Sequence, residues 1–186
     1  MKTISYNQLS AIALAGLLAS CSAPSPTVTR IPVSSSSGKT SSGYLSGQVF
    51  NEVNSYRAQK GKSALERHAG LDQLAQEHCD YLAKNCGGSG TNISHAGFDK
   101  RAFNAHRYFH ISSVGENVVS SSTKTASHLR DLWVSSKTHE KNMRGSWKYT
   151  GIGTAVTPDG MVISTQIFGT GETHPDLDSR DFARPW

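Results

Sequence analysis

Three polar segments hold the side chains best suited to chemistry: Ile93 to Phe98 (ISHAGF), Gly115 to Val118 (GENV) and Trp133 to Asn142 (WVSSKTHEKN). Several reactions can be drawn from their side chains. Ser136, His139 and Glu116 have the residue types of a hydrolase triad. No G-x-S-x-G elbow or oxyanion loop accompanies them. His139-Glu140-Lys141-Asn142-Met143 begins like HExxH, but Met143 stands where the second zinc ligand belongs, so the zinc-protease reading fails. His106 and His110 are four apart and can share a helix face. With no third ligand at matching spacing they read as a surface pair. Cys79 and Cys86 are seven apart. On one helix that is about 10 Å of rise, and a disulfide needs roughly 4.4–6.8 Å between Cα atoms. A bridge therefore requires the helix to end near Ala83 and the chain to fold back through Asn85 and Gly87 to Gly90. The free and the bridged states both remain open.

These groups must be positioned by elements that the hydrophobic spacing predicts. Val49, Phe50, Val53 and Tyr56 follow the 3-4 spacing of a helix from Ser46 to Gln59, ended by Gly61. A second helix is expected from Gly70 to Ala83, with Leu71, Leu74, Ala75, His78 and Leu82 on one face. A short helix starts at Asp99 and includes Phe103 and Arg107. Another is expected from Thr123 to about Glu140, carrying Ala126, Leu129, Leu132 and Trp133. Tyr149 to Thr157 and Met161 to Gly169, joined by Pro158-Asp159-Gly160, read as a β-hairpin. Ile111 to Val119 can supply a third strand. Helices followed by hairpin-connected strands imply an α+β fold in which helices cover a small antiparallel sheet.

With Asn54-Ser55-Tyr56-Arg57, Gly151-Ile152-Gly153 and Thr165 to Gly169 added, the ordered set of segments resembles the CAP superfamily (cysteine-rich secretory proteins, antigen 5 and pathogenesis-related 1 proteins). The similarity is greatest to its short bacterial branch and runs from about Gly47 to Gly169. It implies an α-β-α sandwich with a central cleft lined by two histidines and two acids. The first histidine maps to His95, the Gly-Glu-Asn carboxylate to Glu116, and the second histidine to His139. The remaining acid position holds Ser136, so one carboxylate is left rather than two. Two neutral imidazoles and a carboxylate can bind Zn²⁺ and leave a fourth position for water. Such binding weakens below about pH 6.5. The same groups can instead hydrogen-bond to one another and fix the loops. Ser136, one helical turn before His139, is expected to face the same cleft. Glu140 points about 100° away from His139.

The N-terminus carries a separate signal. Lys2 precedes the short apolar run Ala11 to Ala19, which reads as an export signal because a membrane-spanning helix takes about 20 apolar residues. The run ends in Leu18-Ala19-Ser20-Cys21, which resembles a bacterial lipobox with Cys21 as the lipidated residue. Ser22 in the next position resembles the sorting signal to the outer membrane of a Gram-negative bacterium. The expected organisation is a signal peptide over 1–20, a lipidated Cys and Ser/Pro-rich linker over 21–43, the CAP domain over 44–169 and a polar tail over 170–186. Formal net charge is +5 and falls to 5 − 1 = +4 once Lys2 is removed. The basic residues are scattered, which argues against nucleic acid as a partner. The expected function is a cell-envelope binding module, anchored to a membrane by lipid. Its cleft would take a small ligand such as a lipid, a metal ion or a partner peptide. Phe98, Phe103, Tyr108 and Phe109 are candidates for a lipid-groove wall or for core. The alternatives are a metal-assisted hydrolase of peptides or cell-wall material, and a structural or adhesion domain. Catalysis is the less favoured reading, and no catalytic residue is assigned.

Overall fold

The computed structural model describes residues 37–85 and 93–171, with side chains from 43 onward. The signal peptide, Cys21, most of the linker, Cys86 and nearly all of the tail lie outside these residues. The elements are α1 (Ser37–Gln59), β1 (Glu66–Arg67), α2 (Ala69–Asn85), α3 (Phe98–Phe109), β2 (Val114–Ser121), α4 (Ala126–Ser135), α5 (Lys137–Met143), β3 (Tyr149–Val156) and β4 (Val162–Gly169). The first helix starts at Ser37, inside the stretch expected to be linker.

The hairpin forms as its alternation predicts. β3 and β4 pair antiparallel, from Tyr149 opposite Gly169 to Val156 opposite Val162. Its connection is fixed by Gly160 at φ 88°, a left-handed conformation that glycine adopts without strain. Thr157 also donates its backbone N–H to Met161 O. β2 adds antiparallel to β4. The sheet is not wholly antiparallel, because two-residue β1 pairs parallel with β3, giving the order β1-β3-β4-β2. A two-residue strand has no periodicity to detect.

Period-two alternation then sends the strand residues to two cores. On one face, Ile152, Val162 and Phe168 pack with Val49 and Val53 of α1 and Leu129 and Trp133 of α4. On the other, Tyr149 and Ile167 meet Leu71, Leu74 and Ala75 of α2. That second layer continues as Val118 and Ile163 against Cys79 and Leu82. Helices therefore cover both faces, as an α-β-α sandwich requires. Gly151 and Gly153 face α2, where a Cβ would meet helix backbone: 2.0 Å from Leu71 C and 2.4 Å from Ala75 C and O. Beyond short β1, two α2 side chains serve the edge of β3: Ile152 N donates to Asp72 Oδ1 and Thr154 N to Gln76 Oε1. These contacts occupy donors that would otherwise invite another strand.

Two details change the sequence-based picture. The expected single helix to Glu140 breaks at Ser136, which is extended (φ −96°, ψ 118°) and separates α4 from α5. Ser136 and His139 therefore do not share one helical face by i,i+3 spacing. In addition, α2 runs past Ala83 to Asn85, so the early helix end that a Cys79–Cys86 bridge requires is absent. Cys79 is a free, buried thiol that donates to Thr165 Oγ1 at 3.2 Å. Burial pushes its pKa up to about 12, which keeps it protonated and unreactive.

Candidate functional site

The candidate residues gather at the free edge of the sheet, where β2 is the last strand. Alternation along β2 sends Glu116 and Asn117 to opposite faces. Glu116 points toward α2 and α3, and its side chain is 1% exposed. Both of its oxygens are engaged. Arg101 donates from Nε to Oε2 at 2.7 Å and from Nη2 to Oε1 at 2.8 Å. His95 Nδ1 lies 2.9 Å from Oε1. The Arg101–Glu116 pair is thus bidentate and nearly dry, the geometry in which a guanidinium matches a carboxylate best.

Local backbone chemistry explains how Arg101 reaches this position. Gly97 turns the chain at φ 74° just before α3, and Phe98 N donates to His95 O at 2.9 Å. Arg101 then lies in the first turns of the helix and also donates from Nη1 to Ala96 O at 2.8 Å. One side chain therefore ties the His95–Ala96 loop to the strand. An ionised carboxylate only accepts hydrogen bonds. His95 therefore carries a proton on Nδ1, and in the neutral tautomer this leaves Nε2 as an acceptor on a side chain that is 54% exposed.

A second imidazole lies behind the first. His78 on α2 is buried, 4.0 Å from Glu116 Oε1, and donates from Nε2 to Ser94 O at 2.9 Å. Its pKa is lowered, first by burial and then by the Arg101 charge, so it is neutral at pH 7. It fixes the segment leading into His95 from below.

The other face of β2 meets α5. Asn117 Nδ2 donates to His139 O at 3.1 Å. Asn142 Nδ2 bridges Glu116 O at 3.2 Å and Asn117 Oδ1 at 2.9 Å. These amides seat α5 on the strand edge and bring His139 round to His95. The pKa of half-buried His139 is lowered, first by burial and then by the charge of His95. Ser136 is half-buried at the head of α5 and makes no side-chain capping bond. Glu140, as expected, faces elsewhere: it accepts from Tyr56 Oη at 2.6 Å and pairs with Arg144 at 2.7 Å. Among the described residues, His95 and Glu116 are in direct contact, His139 lies within electrostatic reach of His95, and no side-chain hydrogen bond joins Ser136 to His139 or Glu116.

The structure adds two groups that the sequence reading does not assign to the site, Arg101 and His78. Arg101 changes the chemistry available there. A zinc centre made of His95, His139 and Glu116 needs a carboxylate oxygen for the metal. Both oxygens are held by a guanidinium that already supplies the compensating positive charge. In this arrangement the three-ligand set does not fit the metal. The triad drawn from Ser136, His139 and Glu116 has no hydrogen bond linking its members among the described residues. Two surface cavities, of about 350 and 420 Å³, are lined by other residues. Of the four clustered aromatics, Phe103 and Tyr108 are exposed on α3, while Phe109 packs on the α2 core.

The chain is similar in structure to an outer surface protein of Borrelia burgdorferi, at 20% identity and a TM-score of 0.56, covering 67% of this chain and 90% of that one. It is also similar to an extracellular SCP-domain protein of Bacillus anthracis, at 18% identity and a TM-score of 0.61, covering 76% of this chain and 45% of that one. A cysteine-rich secretory protein of Staphylococcus aureus aligns at 15% identity and a TM-score of 0.54, covering 77% and 42%. The chain thus spans less than half the length of these last two. At such identities the likeness establishes the fold. None of the curated protein sequences matches the chain significantly. The family model described as the cysteine-rich secretory protein family matches residues 50–168, well over half of the chain, and the protein belongs to this CAP family.

Proposed function

We propose that this chain is a cell-envelope CAP domain, lipid-anchored through Cys21, which binds a small polar ligand or partner segment at His95 and His139 and does not catalyse a reaction. The observation that carries the reading is the saturation of Glu116 by Arg101 and His95. A metal-assisted hydrolase that used Glu116 as its base or metal ligand would need that carboxylate free, and here it is committed to Arg101 and His95. What remains for a ligand is Nε2 of His95 and the nearby His139, both able to accept hydrogen bonds when neutral. The lipobox and Ser22 support an outer-membrane anchor, and the likeness to a Borrelia outer surface protein agrees with an envelope location. A second reading, metal binding by the two imidazoles without Glu116, is favoured by one feature. A carboxylate holding Nδ1–H is the arrangement that orients metal-ligating histidines.

Native mass spectrometry of the lipidated protein, taken directly from its host membranes, tests the main reading. The expected spectrum shows a bound mass on the wild type. The mass should be absent from a His95→Ala/His139→Ala variant whose far-UV circular dichroism is unchanged. An empty wild-type domain, or the same adduct on the double variant, contradicts the reading.

A further inference from the structure

Arg57, on α1, is 2% exposed. Its Nε donates to Ser63 O at 2.9 Å, and its Nη1 donates to Met143 O at 2.6 Å and Gly145 O at 3.0 Å. Every acceptor is a neutral carbonyl. No carboxylate among the described residues is paired with this guanidinium. Burial lowers its pKa, with no neighbouring charge acting in either direction. An arginine remains protonated even so. Among the described residues this nearly buried cation therefore meets only neutral carbonyls, and a buried charge is costly unless something completes it. Nη2 has no partner among the described residues.

The same side chain lines the cavity of about 350 Å³, together with Lys62, Ser63, Ser146, Trp147 and Thr170. That volume suits a small ligand. Lys62 is exposed at the rim, and Ser63 and Ser146 present hydroxyls. Trp147 spends its indole N–H on Asn142 O and stacks on Phe168 at 5.7 Å. Its ring is thereby fixed as a half-buried apolar wall.

We propose that this cavity is a second binding site, for a small planar or apolar ligand that carries a carboxylate or phosphate group. The oxyanion would accept from Arg57 Nη2 and the serine hydroxyls, with the Lys62 ammonium at the mouth. The ligand body would lie against Trp147. The site shares no lining residue with the His95–Glu116 cluster and does not depend on how that cluster works.

The test follows the Arg57 Nε–H and Trp147 indole N–H resonances of the full ¹⁵N-labelled chain during titration with benzoate, with phenyl phosphate, and with sodium chloride at matched ionic strength. Both resonances should shift saturably with at least one oxyanion, with half-saturation at or below about 1 mM, and not with chloride. Saturation by benzoate alone assigns a carboxylate, and by phenyl phosphate alone a phosphate ester. Arg57→Gln should abolish saturation. Because that change also removes loop contacts, Lys62→Glu serves as the second variant: its side chain is exposed, and affinity should fall about tenfold or more. Shifts that never saturate, shifts matched by chloride, or an affinity unchanged in Lys62→Glu would overturn the proposal.

Discussion

Replacing Arg101 by Ala is expected to cost about 3 kcal/mol or more of stability, because it leaves the Glu116 charge buried without its partner. For a domain of this size, that lowers the thermal midpoint by roughly 10 °C. The expectation rests on burial: the Glu116 side chain is 1% exposed and that of Arg101 is 11% exposed. A surface ion pair contributes at most about 1 kcal/mol. The Arg67–Asp72 pair, with side chains 36% and 27% exposed, supplies that comparison within the same molecule. The double variant Arg101→Ala/Glu116→Gln should recover part of the loss, since the glutamine amide carries no charge to strand. Urea denaturation of the two single variants and the double one completes the cycle. A loss below about 1 kcal/mol for Arg101→Ala would mean that the pair is solvated and Glu116 is free for other work.

The other large effect belongs to the sheet. Gly153→Ala should cost about 3 kcal/mol or more and reduce the soluble yield, because its Cβ would sit 2.4 Å from Ala75 C and O. Overpacking in a core typically costs about 1–3 kcal/mol when side chains can move aside. Here the obstruction is the backbone of α2, which cannot rotate away. Gly151→Ala, with its Cβ 2.0 Å from Leu71 C, should behave alike. Gly43 provides the control of opposite sign. It lies within α1, and a Cβ there would have nothing within 4 Å, so Gly43→Ala should stabilise by up to about 1 kcal/mol through helix propensity. Denaturation midpoints and soluble fractions measure both. A Gly153→Ala protein as stable as the wild type would mean that α2 does not rest on β3 at this distance.

These two cases also show what is legible in the sequence. The hairpin register can be read because Pro158-Asp159-Gly160 marks the turn and the flanking residues alternate. The glycines at 151 and 153 show only as gaps in that alternation. Their purpose, close approach of a helix, depends on residues some eighty positions earlier and leaves no local pattern. His95, Glu116 and His139 emerge through a resemblance whose motifs are collinear, and His95 and Glu116 do meet in space. Arg101 escapes because it lies in an unremarkable helix start. It acquires its role only through the Gly97 turn, which aims it back at β2. His78 reads as part of an apolar face, among Leu71, Leu74 and Leu82; that spacing is correct, but an imidazole on that face is buried beside a carboxylate. The expected continuous helix through Ser136 follows from the apolar spacing of Ala126, Leu129, Leu132 and Trp133, which does not register the weaker helix formers Val134, Ser135, Ser136 and Thr138. The break at Ser136 coincides with the amides of Asn117 and Asn142 that seat α5 on the sheet edge, a tertiary contact outweighing weak local propensity.

The commitment of Glu116 to Arg101 is the claim on which the site chemistry turns, and calorimetric titration with Zn²⁺ addresses it most directly. Wild-type protein at pH 7 should bind zinc no more tightly than two imidazoles allow. Arg101→Ala, measured well below its melting temperature, should bind about tenfold tighter or more, because Glu116 is then released to join His95 and His139. Tight stoichiometric binding by the wild type that is lost in Glu116→Gln and not improved in Arg101→Ala would contradict the account and restore the three-ligand metal centre.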